Sequence, residues 1–319
     1  MASRDTDGPS GPDPRQQERL ERREAQRRAR ARGRHRLLGV VFAAVVLGVG
    51  GAIALSSGGG SEPGSHFNRI ADEKTTAQAD AGKSEATGLV RNATPQPDWE
   101  PHTGPVPILE YHVLGSPAAD APYPELYVTR RDFHRQMNWL EQHGYQAVTL
   151  EQVEDAWYDG ATLPPKPVVI SFDDGYRPQF TYALPELRRR GWAGVLNLKA
   201  EGSDLYESNV QAMIDAGWEL AAHTIDHSDL TTLDAAALKR ETAGARQILR
   251  RRYGVPVKDF CYPAGQFNST VIAAVEAAGY VTATTEILGD ASRDAPYELA
   301  RYEILGSSGV SGLAADLGG

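Results

Sequence analysis

The stretch VVISFDDGYRP, residues 168–178, sets two adjacent carboxylates, Asp173 and Asp174, at the end of an apolar run. Neighbouring carboxylates repel, and burial penalises the charged form of each. A bound cation is a common compensation. Further along, AAHTIDHSDL places His223 and His227 four residues apart. In a helical turn that spacing puts both imidazoles on one face, where they can meet one ion. Two histidines and one carboxylate make a three-ligand site with a position left for water, as in catalytic zinc centres. Zinc can bring the pKa of such a water to about 7. One Asp can then serve as ligand while the other takes a proton from that water. A divalent metal is therefore expected, most simply Zn2+, with Co2+, Ni2+ and Fe2+ also suited to these donors.

Such groups need rigid elements behind them. From Pro105 onward, short apolar runs alternate with helical patterns: VPILEYH then RDFHRQMNWLEQHG, YQAVTL then LEQVEDAWYDG, PVVISF then PQFTYALPELRRRG, and on to YVTATT and ELARYEIL. Strand–helix alternation over about 200 residues predicts parallel βαβ units. Seven or eight units predict a closed α/β barrel, with an open doubly wound sheet as the alternative. Gly144, Gly191, Gly217, Gly254 and Gly279 fall where helices should end. Reactive residues in this architecture sit where strands end. Those ends collect Glu110-Tyr111-His112, Asp173-Asp174-Gly175, His223 with His227, and CYPAGQ at residues 261–266.

The chain has 319 residues, 41% hydrophobic, enough to bury one core and leave further segments over. Residues 1–36 hold eleven arginines against six carboxylates, net +5 in a chain of total charge -9, which leaves -14 for the rest. So acidic a body excludes nucleic acid as an expected partner. Residues 37–55, LLGVVFAAVVLGVGGAIAL, carry no charge. As a helix they would span about 28 Å, the hydrocarbon thickness of a bilayer. The basic stub before them predicts a single-pass transmembrane helix in the cell membrane, with a cytoplasmic N-terminus and an extracytoplasmic body. Cleavage after Ala52-Ile53-Ala54 and secretion is the alternative. Residues 56–104 read as a flexible linker, and 105–319 as the catalytic domain. With one cysteine, Cys261, an internal disulfide is excluded.

With these motifs in this order, the chain resembles the polysaccharide deacetylases, carbohydrate esterase family 4, with a NodB-type domain, over roughly residues 105–305. SFDDGY resembles the family's first motif, which implies that Asp173 is the catalytic base and Asp174 a metal ligand. HTIDH is similar to the second motif and implies that His223 and His227 complete the metal set. Tyr262 to Gly265 resembles the approach to the third. The resemblance implies a distorted (β/α)7-type barrel and a hydrolase that removes N-acetyl groups from a cell-surface polysaccharide, an N-acetylated glycan partner. Where the family's third motif has an arginine near the base, this chain has Cys261; where an aromatic follows the proline, it has Ala264. The Ala264 N–H can still support an oxyanion, a role that needs no side chain. The family's late histidine, its general acid, has no counterpart in ELARYEILGSSGVSG. The early LEYH is similar to the poly-N-acetylglucosamine branch and implies that His112 replaces that acid or binds substrate. Tyr176, directly after DDG, is placed to line the pocket. Two other readings use the same residues: an inactive glycan-binding relative, and an O-acetyl esterase on xylan-type polymers. A serine esterase is disfavoured, because no G-x-S-x-G occurs.

Overall fold

A computed structural model of the chain describes residues 95–318. The predicted transmembrane span and residues 56–94 of the predicted linker lie outside the described residues; in residues 95–104, read from the sequence as linker, Trp99 is buried and Glu100–Pro101 pairs with Thr162–Leu163, so this part is tied to the domain. Among those described, no helix is long and apolar enough to cross a membrane.

One sheet holds eight short parallel strands: β1 Ile108–Tyr111, β2 Gln146–Val148, β3 Pro167–Asp173, β4 Val195–Leu198, β5 Glu219–Ala222, β6 Asp259–Cys261, β7 Thr282–Thr284 and β8 Tyr302–Glu303. Their spatial order is β7-β6-β5-β4-β3-β1-β8, and β2 pairs with the first residues of β3. Between and beyond them run α1 Arg130–Gln142, α2 Leu150–Asp159, α3 Leu184–Arg188, α4 Glu207–Asp215, α5 Ala235–Lys239, α6 Ala245–Tyr253, α7 Ser269–Ala277 and α8 Gly309–Asp316. The predicted strand–helix alternation is thus met. All seven residues of β3 are buried, as expected of a central parallel strand covered on both faces. Thr149 and Gln152 form a reciprocal cap at the start of α2. The five predicted helix-ending glycines all adopt left-handed backbone.

The sheet curls into a half-barrel whose seam is irregular. β8 has only two residues and pairs with β1. Contact with β7 falls to the chain just before β8: the Thr285 amide donates to Leu299 O, and the Leu299 amide to Ala283 O, both at 2.9 Å. An isolated bridge, Thr284 to Leu299, replaces a ladder. This seam accounts for the distortion that the resemblance implied, and it carries Arg301 into the interior, where it is 1% exposed.

Two wider, π-type turns interrupt the helices, at Gln179–Ala183 before α3 and at Arg240–Gly244 between α5 and α6. Such turns often mark functional regions. Here each delivers a buried polar side chain to a rim loop. Gln179 Nε2 donates to the carbonyls of His112 (3.0 Å) and Asp173 (2.7 Å), tying the ends of β1 and β3 together. Glu241 Oε2 accepts the Ile225 amide at 2.9 Å and holds the loop after β5.

At the opposite end of the sheet, the carboxyl groups of Glu154 of α2 and Asp259 of β6 are both buried and interact electrostatically. Burial first, and Asp259 second, push the Glu154 carboxyl up to about 11. Folded Glu154 therefore keeps its proton while the unfolded chain releases it near pH 4.5. The sign follows: stability is lost as pH rises from there toward the folded value. Glu154→Gln removes this penalty and is expected to raise stability at pH 8–9 by on the order of 1 kcal/mol, with little gain at pH 5. Urea unfolding at both pH values checks this, and an equal change at both would contradict it.

Candidate active site

β3 delivers Asp173 as its last residue, and Asp174 follows in left-handed backbone (φ 74). That change of backbone sends the two carboxylates to different partners. Gly175 completes the turn (φ 77), where a Cβ would lie 2.5 Å from both Leu198 Cδ1 and Ser203 Oγ, so only glycine fits.

Asp173 is enclosed by donors. Asn197 Nδ2, from β4, donates to Oδ1 at 2.7 Å. Arg301 Nη1 and Nη2 donate to Oδ1 and Oδ2, each at 2.9 Å, a bidentate pairing. Cys261 Sγ, at the end of β6, makes a longer contact of 3.4 Å to Oδ2. The guanidinium is itself fixed by Nε donating to Thr285 O at 2.8 Å. Burial alone would raise the Asp173 carboxyl, but Arg301, His223 and His112 overcome it and hold the group well below the usual carboxylate range. Burial pushes the Cys261 thiol up, so it stays protonated as a weak donor to Asp173.

Asp174 faces three bases. Its Oδ1 lies 3.8 Å from His223 Nε2, 3.6 Å from His227 Nε2 and 3.7 Å from Lys199 Nζ. Burial raises its carboxyl, and the two histidines more than offset this. The histidines meet by a route other than the predicted helical turn. His223 directly follows β5, and Thr224 (φ 63) and His227 (φ 68) are both left-handed. A loop folds back on itself, pinned by the His227 amide donating to Thr224 Oγ1 at 2.8 Å. His223 Nδ1 bonds Cys261 O at 2.8 Å, which leaves Nε2 toward Asp174. Ligand atoms of Asp174, His223 and His227 all lie within 4.8 Å of one another. This donor set fits a divalent cation: two oriented imidazole nitrogens, one carboxylate oxygen, and a partly exposed His227 on the open side.

The other predicted residues sit on the same rim. His112, 9% exposed, follows β1, and its Nε2 lies 3.7 Å from Glu110 Oε1. Ligand atoms of Glu110, His112 and Asp173 also lie within 4.8 Å of one another. Tyr176 is partly buried; burial first, then the Asp174 charge, push its hydroxyl above the usual phenol range. Ala264 is left-handed (φ 52) within the Pro263–Gly265 turn, and its amide makes no hydrogen bond among the described residues. Asp174, Thr224, His227 and Ala264 are the non-glycine residues with positive φ among the described residues. All four lie on loops at the strand ends that carry the site, where stored strain is characteristically found.

Comparison with known proteins decides the family. A Bacillus subtilis (strain 168) protein, YxkH, which bears a provisional polysaccharide deacetylase name, is 30% identical over 214 residues, covering 66% of this chain and 74% of that protein. The chain belongs to the polysaccharide deacetylase family. The family's sequence profile, described as polysaccharide deacetylase, matches residues 160–283. The poly-β-1,6-N-acetyl-D-glucosamine N-deacetylase of Escherichia coli K12 is 37% identical over 95 residues, which is 30% of this chain and 14% of that much longer protein. Among solved structures, the Streptococcus pyogenes deacetylase PplD, in complex with acetate, matches with a TM-score of 0.63 at 22% identity, covering 67% of this chain and 99% of PplD. That likeness is one of fold.

The deacetylase motifs read from the sequence converge at this rim: Asp173, Asp174, His223 and His227 at its centre, with His112, Tyr176 and Ala264 on adjoining loops. Sequence reasoning missed Arg301 and Asn197 as parts of the candidate site, and it placed Glu110 at a strand end without giving it a role. The arginine absent from position 261 is supplied by Arg301, which touches the Cys261 sulfur at 3.3 Å. One signal was available, a cation inside the short strand-like run ELARYEIL, next to the region expected to carry the acid. For Glu110 the signal was a carboxylate within the apolar run VPILEY.

Proposed function

We propose that this polysaccharide deacetylase removes N-acetyl groups from a poly-N-acetylglucosamine-type or peptidoglycan-like cell-surface glycan, with a divalent cation held by Asp174, His223 and His227. The observation that carries this reading is the division of labour between adjacent carboxylates: Asp173 in a guanidinium–amide cradle, Asp174 against two imidazoles. The name of the Escherichia coli relative supports the choice of substrate. We further propose that residues 37–55 anchor the chain and place this domain outside the cytoplasm, where such a glycan lies.

A divalent cation at this position supplies a Lewis acid for the acetyl carbonyl and hydroxide near neutral pH. Asp173, kept ionised by Arg301, accepts a proton from the attacking water. Its Oδ2 is the less committed oxygen, since the Cys261 contact is long and weak. The Ala264 N–H, unpaired within the described residues, donates to the oxyanion as the carbonyl carbon becomes tetrahedral. His112 gives a proton to the departing nitrogen, the C–N bond breaks, and acetate and a free amine result. Tyr176 and Lys199 line the sugar side. Because Arg301 restores the guanidinium that position 261 lacks, the departure at Cys261 no longer favours an inactive binding protein.

The full chain, solubilised in detergent and stripped with chelator, is expected to release no acetate from poly-N-acetylglucosamine, acetylated peptidoglycan or acetyl-xylan. Added Zn2+, Co2+, Ni2+ or Fe2+ should restore release. Calorimetry should find one ion bound per chain, with affinity reduced at least about 100-fold in His223→Ala. Preference for acetyl-xylan would move the reading to an O-acetyl esterase. No release from any glycan with any of these ions would sink it.

A further inference from the structure

Singly exposed apolar side chains are ordinary on a protein surface, but here their placement is uneven. The large apolar side chains most open to solvent among the described residues are Tyr123, Tyr158, Tyr206, Val281 and Ile287. Tyr123, Tyr206 and Ile287 lie on the segments that follow β1, β4 and β7, at the strand ends that carry the site. Tyr206 is the most open of them, at 61% exposure. The fold uses this residue through its backbone: the Tyr206 amide donates to Asn209 Oδ1 at 3.1 Å at the start of α4.

Packing brings the Tyr206 ring to the site. The loop after β4 is seated on the turn that carries Asp174. Ser203 Oγ and the Asp204 amide both donate to Gly175 O, at 2.9 and 3.1 Å. A side chain at position 175 would block this approach. From Asp174 outward, cations and rings alternate. Lys199 Nζ lies 3.7 Å from Asp174 Oδ1 and 5.9 Å from the centre of the Tyr176 ring. Next in the chain, Arg177 Cζ sits 4.8 Å from the centre of the Tyr206 ring, a cation–π contact. The guanidinium covers one face of that ring and fixes its orientation, and the exposure of Tyr206 leaves the other face to solvent. A pyranose with equatorial substituents, such as N-acetylglucosamine, presents C–H bonds on its faces. Their partial positive charge suits the negative face of an aromatic ring. Asp204 and Glu207, both exposed and close to Tyr206 in the chain, disfavour an anionic occupant. A neutral sugar fits the ring, the charge and the position.

Resting on the function proposed above, we propose that Tyr206, held by Arg177, is a specificity-determining residue. It stacks on a neighbouring sugar of the same glycan chain, beyond the sugar that loses its acetyl group. The platform makes the enzyme selective for oligomers and polymers over a single sugar. Binding energy gained at the remote sugar then helps to hold the reacting one in place, as contacts far from a reacting centre can do.

The test uses the full chain in detergent with added Zn2+. The substrates are N-acetylglucosamine as the free sugar and as pentamers in β-1,6 and β-1,4 linkage. Wild type is expected to act on a pentamer with kcat/KM at least about 10-fold above that on the free sugar. Tyr206→Ala should lower the pentamer value about 3–10-fold and shrink the ratio of pentamer to free sugar to a similar extent. Tyr206→Phe should keep the ratio, because stacking needs the ring and not the hydroxyl. Tyr158→Ala, which removes another exposed tyrosine, on α2, should keep it too. No length preference in active wild type, or an unchanged ratio in Tyr206→Ala, would overturn the proposal. A binding arm needs no turnover: saturation-transfer NMR from the chelator-treated protein to the C–H protons of the pentamers should weaken in Tyr206→Ala. If wild type releases no acetate, the functional reading fails, and the binding arm alone decides whether Tyr206 holds a sugar. Equal transfer in wild type and variant would then overturn this inference as well.

Discussion

Asp173→Asn is expected to lower kcat for acetate release by about 10²–10⁴-fold, the usual worth of a positioned general base. The substitution keeps the volume and most hydrogen-bonding atoms but removes the proton acceptor. Metal affinity should change little if the proposed donors, Asp174, His223 and His227, hold the ion and Asp173 does not. Calorimetry on the variant, beside its rate, separates lost chemistry from lost metal. A fold test is also needed, since Arg301 would lose the carboxylate that accepts two of its bonds. Glu110 lies 3.3 Å from the same guanidinium and can ionise in its place, so the variant should remain folded. A variant retaining half of wild-type turnover would remove Asp173 from the role of base.

Arg301→Met should have the largest effect on stability. Arg301 and Asp173 are both almost wholly buried, at 1% and 2% exposure. Removing one member of a buried ion pair typically costs about 3–5 kcal/mol, because the other is left without compensation. The pH dependence should change sign. In the wild type, the Asp173 carboxyl is held below its unfolded value, so its contribution is present above about pH 4 and is lost as pH falls further. In the variant burial dominates and the carboxyl moves up, so stability should fall as pH rises above about pH 4. Denaturant midpoints across pH 4–8 would show the reversal. A loss below about 1 kcal/mol with an unchanged pH trend would mean that the pair contributes little to folding.

Much of the site was legible because its residues lie close together in the chain. Asp173 and Asp174 are sequence neighbours at the end of an apolar run, and β3 must deliver them to the rim where parallel strands end. His223 and His227 were likewise marked by spacing, although the reason assigned to that spacing was wrong. A helical turn would have needed αR backbone, whereas Thr224 and His227 are left-handed and Glu241 holds the loop from a π-type turn. Spacing of four is compatible with both conformations, so it could place the residues together without specifying how. The seam at β7 and β8 was not legible either, because an isolated bridge and a two-residue strand leave almost no periodic signal.

By itself the sequence determined the parallel α/β architecture, through alternating apolar patterns and helix-ending glycines, and it determined which residues can bind a metal or move a proton. Those are properties of residue type and short spacing. Tertiary structure alone decided how the two carboxylates are used. Arg301 reaches Asp173 across 128 positions of chain, and Cys261 across 88. Only the curling of the sheet brings the β3 end, the β6 end and the approach to β8 to one point. The guanidinium that position 261 lacks is therefore recovered from the segment just before β8, because ionising a buried carboxylate requires a nearby cation and not a particular place in the sequence for it.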